Sequence, residues 1–436
     1  MVAEAGDRVK IICQDSIIEG VLIQRPSLLP QDFIVIKLDN GYNIGVDKKK
    51  IKRIEVLEKY KPKKTKKKIK LKFNKKLPIV TILSTGGTIS SKVDYTTGGV
   101  SAYFTSEDLV AMCPELKEIA NIRTRKIMSA MSEDIMPKDW IKIAEETFKE
   151  LKKCDGVVIT TGTDTMHYIA AALSFMIQKP NKPIIITGAQ RSIDRGSSDA
   201  FMNLICAVQA AAKFDGAEVM TCMHGTINDD YCLLIRGTKV RKMHASRRDA
   251  FRPVNDNAIA KINIKGEVEV LTTNYNRRYS IEKDNKNKAP VLDTKINEKV
   301  ALVLVYPGME PGIIDYHINK GAKGIVISAT ALGHVPTNNT KTLIPAIERA
   351  IKKNIPVVIA SQTIYGRVHP YVYTNLRKLS IELKSIFVED MLPEVAYIKL
   401  MYALAHAKNL EDIKSLMLLN IAGEITDRET PDTFLK

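Results

Sequence analysis

The sequence predicts an α/β protein built on mostly parallel sheets, with a small all-β barrel in front. Three observations carry that prediction. Apolar runs rich in β-branched residues, Ile79–Ser84, Gly156–Thr160, Pro183–Thr187 and Glu218–Met223, alternate with helical stretches at Ser106–Met112, Lys138–Lys152, Thr165–Ile177 and Asp199–Lys213. The same alternation resumes after a polar stretch, Glu282–Lys288, which marks a domain boundary. Ahead of residue 77 the pattern changes to short alternating strands with no helical period.

Taken in order, residues 1–58 form the barrel domain. Gly6–Ile12, Gly20–Pro26, Asp32–Leu38 and Tyr42–Val46 read as strands, and Asp39-Asn40-Gly41 is a hairpin turn. Short strands so closely spaced predict a small open barrel of the SH3-like or OB-like kind. No row of aromatics marks it as a base-stacking surface. Residues 59–76 are a linker with eleven lysines and no acid. Such a run attracts a polyanion such as RNA, or it is a solvated, self-repelling spacer. Residues 77–285 form the large α/β domain. Residues 298–436 form a smaller one, with strands at Lys299–Val305, Gly324–Ser328 and Ile355–Ser361 and helices at Lys341–Lys353 and Pro393–Ala407.

Composition narrows the function classes. The 436 residues carry a formal charge of +17, much of it in the linker. No apolar run reaches the 18 or so residues a membrane helix needs, and residues 1–8 lack the apolar core of a signal peptide. Six scattered cysteines with no Cys-x-x-Cys pair read as reduced thiols in a cytoplasmic protein. The seven histidines show no metal-ligand spacing, so no metal is expected.

Two of the apolar strands end in turns that carry chemistry. Thr85-Gly86-Gly87-Thr88-Ile89 closes the first, and Thr161-Gly162-Thr163-Asp164-Thr165 closes the second. Parallel strands would bring both turns to one sheet edge, where α/β proteins bind ligands. Neither turn is a phosphate loop. Together they resemble the paired signatures of the asparaginase/glutaminase amidohydrolases, over roughly residues 77–425. The resemblance implies the asparaginase-like two-domain fold and a Thr-Lys-Asp catalytic group. Thr88 would be the nucleophile, Thr163 would help activate the attack on the carbonyl or the attacking water, and Asp164 would orient the lysine and hold the substrate's α-ammonium. The lysine falls where Lys239, Arg241 and Lys242 crowd together. Lys242-Met243-His244-Ala245 with Asp249-Ala250-Phe251 matches the family's run, which assigns Lys242. Tyr95, flanked by Gly98 and Gly99, fits the family's mobile tyrosine on a lid. Ser132 and Glu133 match positions that hold the substrate's carboxylate and amino group, with Glu133 in place of the Gln of free bacterial asparaginases. Gly188–Ser192 would line the pocket.

The barrel and lysine linker ahead of an amidohydrolase resemble the glutaminase subunits of archaeal tRNA-dependent amidotransferases. That layout implies glutamine as substrate and Glu-tRNA(Gln), met mainly through a partner subunit. No cofactor would reside on this chain, and ATP and Mg would belong to the partner. A homodimer core within a heterotetramer would follow. The alternative is a free asparaginase or glutaminase with an accessory domain. A non-catalytic RNA-binding protein fits the charge but leaves both threonine turns without a role.

Overall fold

The computed structural model describes residues 3–23, 32–39, 43–60, 73–87, 91–93, 100–102, 112–193, 197–279 and 289–434. Thr88, Tyr95, most of the expected helix Ser106–Met112, most of the lysine-rich linker and the polar stretch around 282–288 lie outside them.

The N-terminal unit is an antiparallel sheet of β1 (Arg8–Cys13), β2 (Ile17–Ile23), β3 (Phe33–Lys37), β4 (Asn43–Asp47) and β5 (Ile51–Glu58), in the order β4-β3-β2-β1-β5. Alternate residues Val9, Ile11 and Cys13 of β1 are buried with Ile36 and Val46, as a half-buried period of two requires. Asp7 fastens the chain where β5 runs out. Its buried carboxylate accepts the N–H groups of Glu4 and Tyr60 and pairs with Lys59 at 3.0 Å. Those backbone donors hold its pKa down at about 2. Lys59 and Tyr60 therefore contact the barrel domain, although their sequence assigns them to the linker.

The large domain is an eight-stranded mixed sheet. Five parallel strands lie in the order β9 (Asn121–Ala130), β6 (Ile79–Gly86), β10 (Gly156–Thr160), β12 (Ile184–Thr187) and β13 (Val219–His224). The antiparallel strands β14 (Cys232–Arg236), β17 (Ala260–Ile262) and β18 (Val268–Val270) extend it. The two-stranded pairs β7 (Ser91–Val93) with β8 (Val100–Ala102), β11 (Ile177–Gln178) with β19 (Val291–Leu292), and β15 (Val240–Lys242) with β16 (Phe251–Pro253) stand outside it. The sheet is covered on both faces, which explains its continuous apolar strands. Val157, Ile159 and Ile184 point to one face, against helices Pro137–Leu151 and Met166–Met176. Val158 and Ile185 point to the other, against helix Ala200–Lys213.

The C-terminal domain is an all-parallel sheet of β20 (Val300–Leu304), β21 (Gly324–Ala329), β22 (Val357–Ser361) and β23 (Ile386–Phe387). Its helix Pro393–His406 packs on Met166–Met176, so Val326 and Val358 share one apolar cluster with Val157 and Ile159. The two α/β domains are thus joined through a common core. Among the described residues no helix is long and apolar enough to cross a membrane. All six cysteines are buried, and none forms a disulfide.

Lys399 is buried in that largely apolar helix. Its Nζ lies 2.5 Å from Glu424 and donates to the carbonyls of Met417 and Leu419. Burial pulls its pKa down and Glu424 opposes the shift. Removing one partner strands a buried charge, so Lys399→Met should cost about 3–5 kcal/mol. Urea unfolding checks this, and an unchanged midpoint would overturn it.

Candidate active site

The site is built at the carboxyl ends of β6, β10 and β12. Thr160 stands level with Ser84 on one side and Thr187 on the other, so the three strands end together. The turns beyond them interlock through glycine. Gly87 has φ +82°, and a Cβ there would lie 2.2 Å from the nitrogen of Gly162. A Cβ on Gly162 would lie 2.7 Å from the Cβ of Ser132. Only residues without side chains let these backbones approach so closely. The hydroxyl of Thr85 adds a buried bond to the carbonyl of Thr160, at 3.2 Å. The two signature turns are therefore in direct contact.

Lys242 reaches this junction from the hairpin β15–β16. Its Nζ donates to Thr163 Oγ1 at 2.9 Å and to Asp164 Oδ1 at 2.6 Å. The lysine side chain is 8% exposed and the aspartate 66%, so the pair lies at the mouth of the site with the amine inside. Thr163 accepts from the lysine, which leaves its own hydrogen to donate. It points to Gln190 Oε1 at 3.5 Å. Gln190 is set by Asp199, a buried carboxylate that accepts the N–H groups of Gln190 and Arg191 and the amide of Asn203. Ser132 is buried beside Gly162, and its carbonyl accepts from Thr165 Oγ1 at 2.6 Å. Glu133 is exposed next to it, 3.5 Å from the Ser132 hydroxyl.

Of the crowded cations, only Lys242 touches Thr163 and Asp164 among the described residues. Lys239 is buried against Asp390 at 2.6 Å. Arg241 faces Glu394 at 3.6 Å. The structure thus brings together Thr163, Asp164 and Lys242, with Ser132 and Glu133 alongside, and joins Gln190 to them. Thr88 and Tyr95 are not among the described residues.

Sequence reasoning missed Asp199, His167 and Glu394. Glu394 had a signal, since it is a lone acid in the apolar run Met391–Tyr397. His167 follows Asp164 by three residues in a run that reads as an ordinary buried helix. Its imidazole is 3.9 Å from Glu394. Burial, with the charges of Arg241 and Lys242 adding to it, pushes its pKa down to about 3. It is therefore neutral near pH 7.

Residues 79–276 match the family "Asparaginase, N-terminal", and residues 299–417 match the "Glutaminase/Asparaginase C-terminal domain". The fold is similar to the thermostable L-asparaginase from Thermococcus kodakarensis, with a TM-score of 0.70 and 32% identity over 80% of this chain and 99% of that one. L-asparaginase I from Vibrio cholerae aligns over the same shares with a TM-score of 0.68 and 27% identity. Fold and site together define an asparaginase-type body. Residues 3–57 match the "GatD N-terminal domain". A glutamyl-tRNA(Gln) amidotransferase subunit of Pyrococcus furiosus is 51% identical over 99% of this chain and 97% of its own. The corresponding subunit of Methanococcus maripaludis is 46% identical over 97% and 98%. The chain belongs to the GatD family of glutamyl-tRNA(Gln) amidotransferase subunits.

The neutrality of His167 has a consequence for stability. The unfolded chain takes up the proton below the ordinary value of 6.5, whereas the folded chain refuses it until about 3. Stability from this group is full above 6.5 and falls with pH below it. Between pH 6.5 and 5 the wild type should lose about 1.5 kcal/mol relative to His167→Gln. Urea unfolding at the two pH values measures the difference, and parallel losses would overturn the assignment.

Proposed function

We propose that this chain is the glutamine-hydrolysing, ammonia-generating subunit of a glutamyl-tRNA(Gln) amidotransferase. Its ammonia would convert Glu-tRNA(Gln) to Gln-tRNA(Gln) on a partner subunit, which would carry ATP and Mg. No nucleotide-binding loop occurs in this sequence. The observation that carries the chemistry is Lys242 Nζ bridging Thr163 and Asp164 beside the first threonine-glycine turn. The observation that favours a tRNA-linked subunit over a free asparaginase is the N-terminal match together with the full-length relatives. The protein would work in the cytoplasm as a homodimer core within a heterotetramer.

In the proposed reaction the Thr88 hydroxyl attacks the side-chain amide carbonyl of glutamine. A C–O bond forms, the C–N bond breaks, and ammonia leaves with the added proton. Water then cleaves the acyl ester, releasing glutamate and restoring Thr88. Lys242, ordered by Asp164, accepts and returns protons through the Thr163 hydroxyl. Tyr95 would relay the proton of Thr88 and close the site from water. Ser132 and Glu133 would hold the α-carboxylate and α-ammonium. An ammonia-producing site is wasteful without a waiting acceptor, so partner and tRNA would gate hydrolysis.

Ammonia release from glutamine and from asparagine, by the chain alone and with the partner subunit, ATP and Glu-tRNA(Gln), tests the proposal. Slow release alone that rises on addition of partner and tRNA is expected. Fast asparagine hydrolysis indifferent to both would instead indicate a free asparaginase. In the stimulated complex, Thr88→Val should abolish release. Thr163→Val and Lys242→Met should each slow it by roughly 100- to 10,000-fold. Near-normal turnover in Lys242→Met would remove that residue from the mechanism.

A further inference from the structure

Three cations within four residues serve two different halves of the molecule. Lys242 points to Thr163 and Asp164 at the end of β10. Its neighbours Lys239 and Arg241 grip the C-terminal half instead, at Asp390 and Glu394. Arg241 and Lys242 are neighbours in β15, where successive side chains point to opposite sides, and Lys239 ends the turn that leads into it. β15 is only three residues long and pairs with β16 alone, so no larger sheet sets its roll. The end of β16 is bolted to the C-terminal half as well. Asn255 donates to the carbonyls of Gly366 and Asp390 and accepts the N–H of Gly366.

We propose that Asp390 and Glu394, acting through Lys239 and Arg241, form a two-point clamp by which the C-terminal half positions Lys242 for proton transfer. The clamp rests on the amidohydrolase function proposed above, and it makes these four residues positioning residues of that reaction.

The two anchors differ in kind. Lys239 and Asp390 are wholly buried, and Asp390 also accepts from the N–H and the hydroxyl of Thr426. Glu394 is in the first turn of helix Pro393–His406, where the aligned peptide dipoles favour a carboxylate. Its Oε1 and the Nδ1 of His167 have no hydrogen-bond partner among the described residues. A buried acid with one oxygen unsatisfied is a poor source of stability. What the Arg241–Glu394 pair supplies is direction. Turning Arg241 toward Glu394 turns Lys242 away from it, toward Thr163.

The test uses the Arg241–Glu394 anchor, because Lys239→Met would strand a fully buried Asp390 and endanger folding. Glu394→Gln, Arg241→Met and the double variant are compared with wild type in the stimulated complex by ammonia release, with urea unfolding alongside. A displaced catalytic group slows chemistry more than it weakens binding. Each single variant should lower kcat about 10- to 100-fold with KM within about twofold, at a midpoint near that of wild type. The double variant should be no slower than the slower single, because both act through one contact. Wild-type kcat in Glu394→Gln, a change confined to KM, or losses that multiply in the double variant would overturn the clamp. A wild-type complex that releases no ammonia would overturn the amidohydrolase function and the clamp with it.

Discussion

The whole arrangement depends on where one lysine nitrogen lies. Lys242 Nζ bonds to Thr163 and Asp164, residues 79 and 78 positions away, and neither local structure nor its own hairpin could bring it there. β10 occupies the centre of five parallel strands, so its carboxyl end is flanked by the ends of β6 and β12. Glycines then let three turns meet at backbone distance. The lysine enters from outside the sheet, after the chain has reversed through β13 and β14. The antiparallel β14 carries the chain away from the edge where the turns lie, and β15, outside the sheet, brings it back to Thr163.

Packing holds this geometry in two steps. Helix Met166–Met176 begins immediately after the second signature turn and is buried almost throughout. Its apolar side chains meet both the large sheet and helix Pro393–His406. Any shift of the C-terminal domain is therefore felt by the helix that carries His167 in its first turn and follows the turn holding Asp164. Asp199 does the corresponding work at β12. One buried carboxylate takes three N–H donors and thereby sets the loop that presents Gln190 to Thr163.

The core strands were legible because strands covered on both faces must be apolar along their whole length, as Val80–Leu83 and Val157–Ile159 are. β1 to β4 were legible from alternation and the Asn40-Gly41 turn, whereas β5, whose burial does not alternate, was not named. β9 was not, because it is an edge strand whose exposed positions carry Arg123, Arg125 and Lys126, and its residues read as a polar loop. The strands β14 to β18 were missed because their short runs sit among polar residues. In the site, Thr163 and Asp164 stood out by their place after a buried strand. Lys242 was distinguishable from Lys239 only through the resemblance of its surroundings. Asp199 and His167 could not be assigned, because what matters about each is a partner from another element, and Glu394 stood out as a lone acid without showing its partner.

The contact between the two α/β halves combines apolar packing with charge, and the two contribute differently. Apolar burial supplies most of the driving force, but it is non-directional and tolerates small sliding. Charged pairs in the interior contribute little net stability, yet each is satisfied only over a narrow range of distances and angles. Here they lie where direction matters, with Arg241 facing Glu394 one position, and Lys239 facing Asp390 three positions, before the lysine at Thr163. A purely apolar contact could hold the halves together as firmly and leave the hairpin free to roll. In the proposed clamp the C-terminal half acts on the candidate site without supplying a residue to Thr163, so that the two domains are joined by charge as well as by packing.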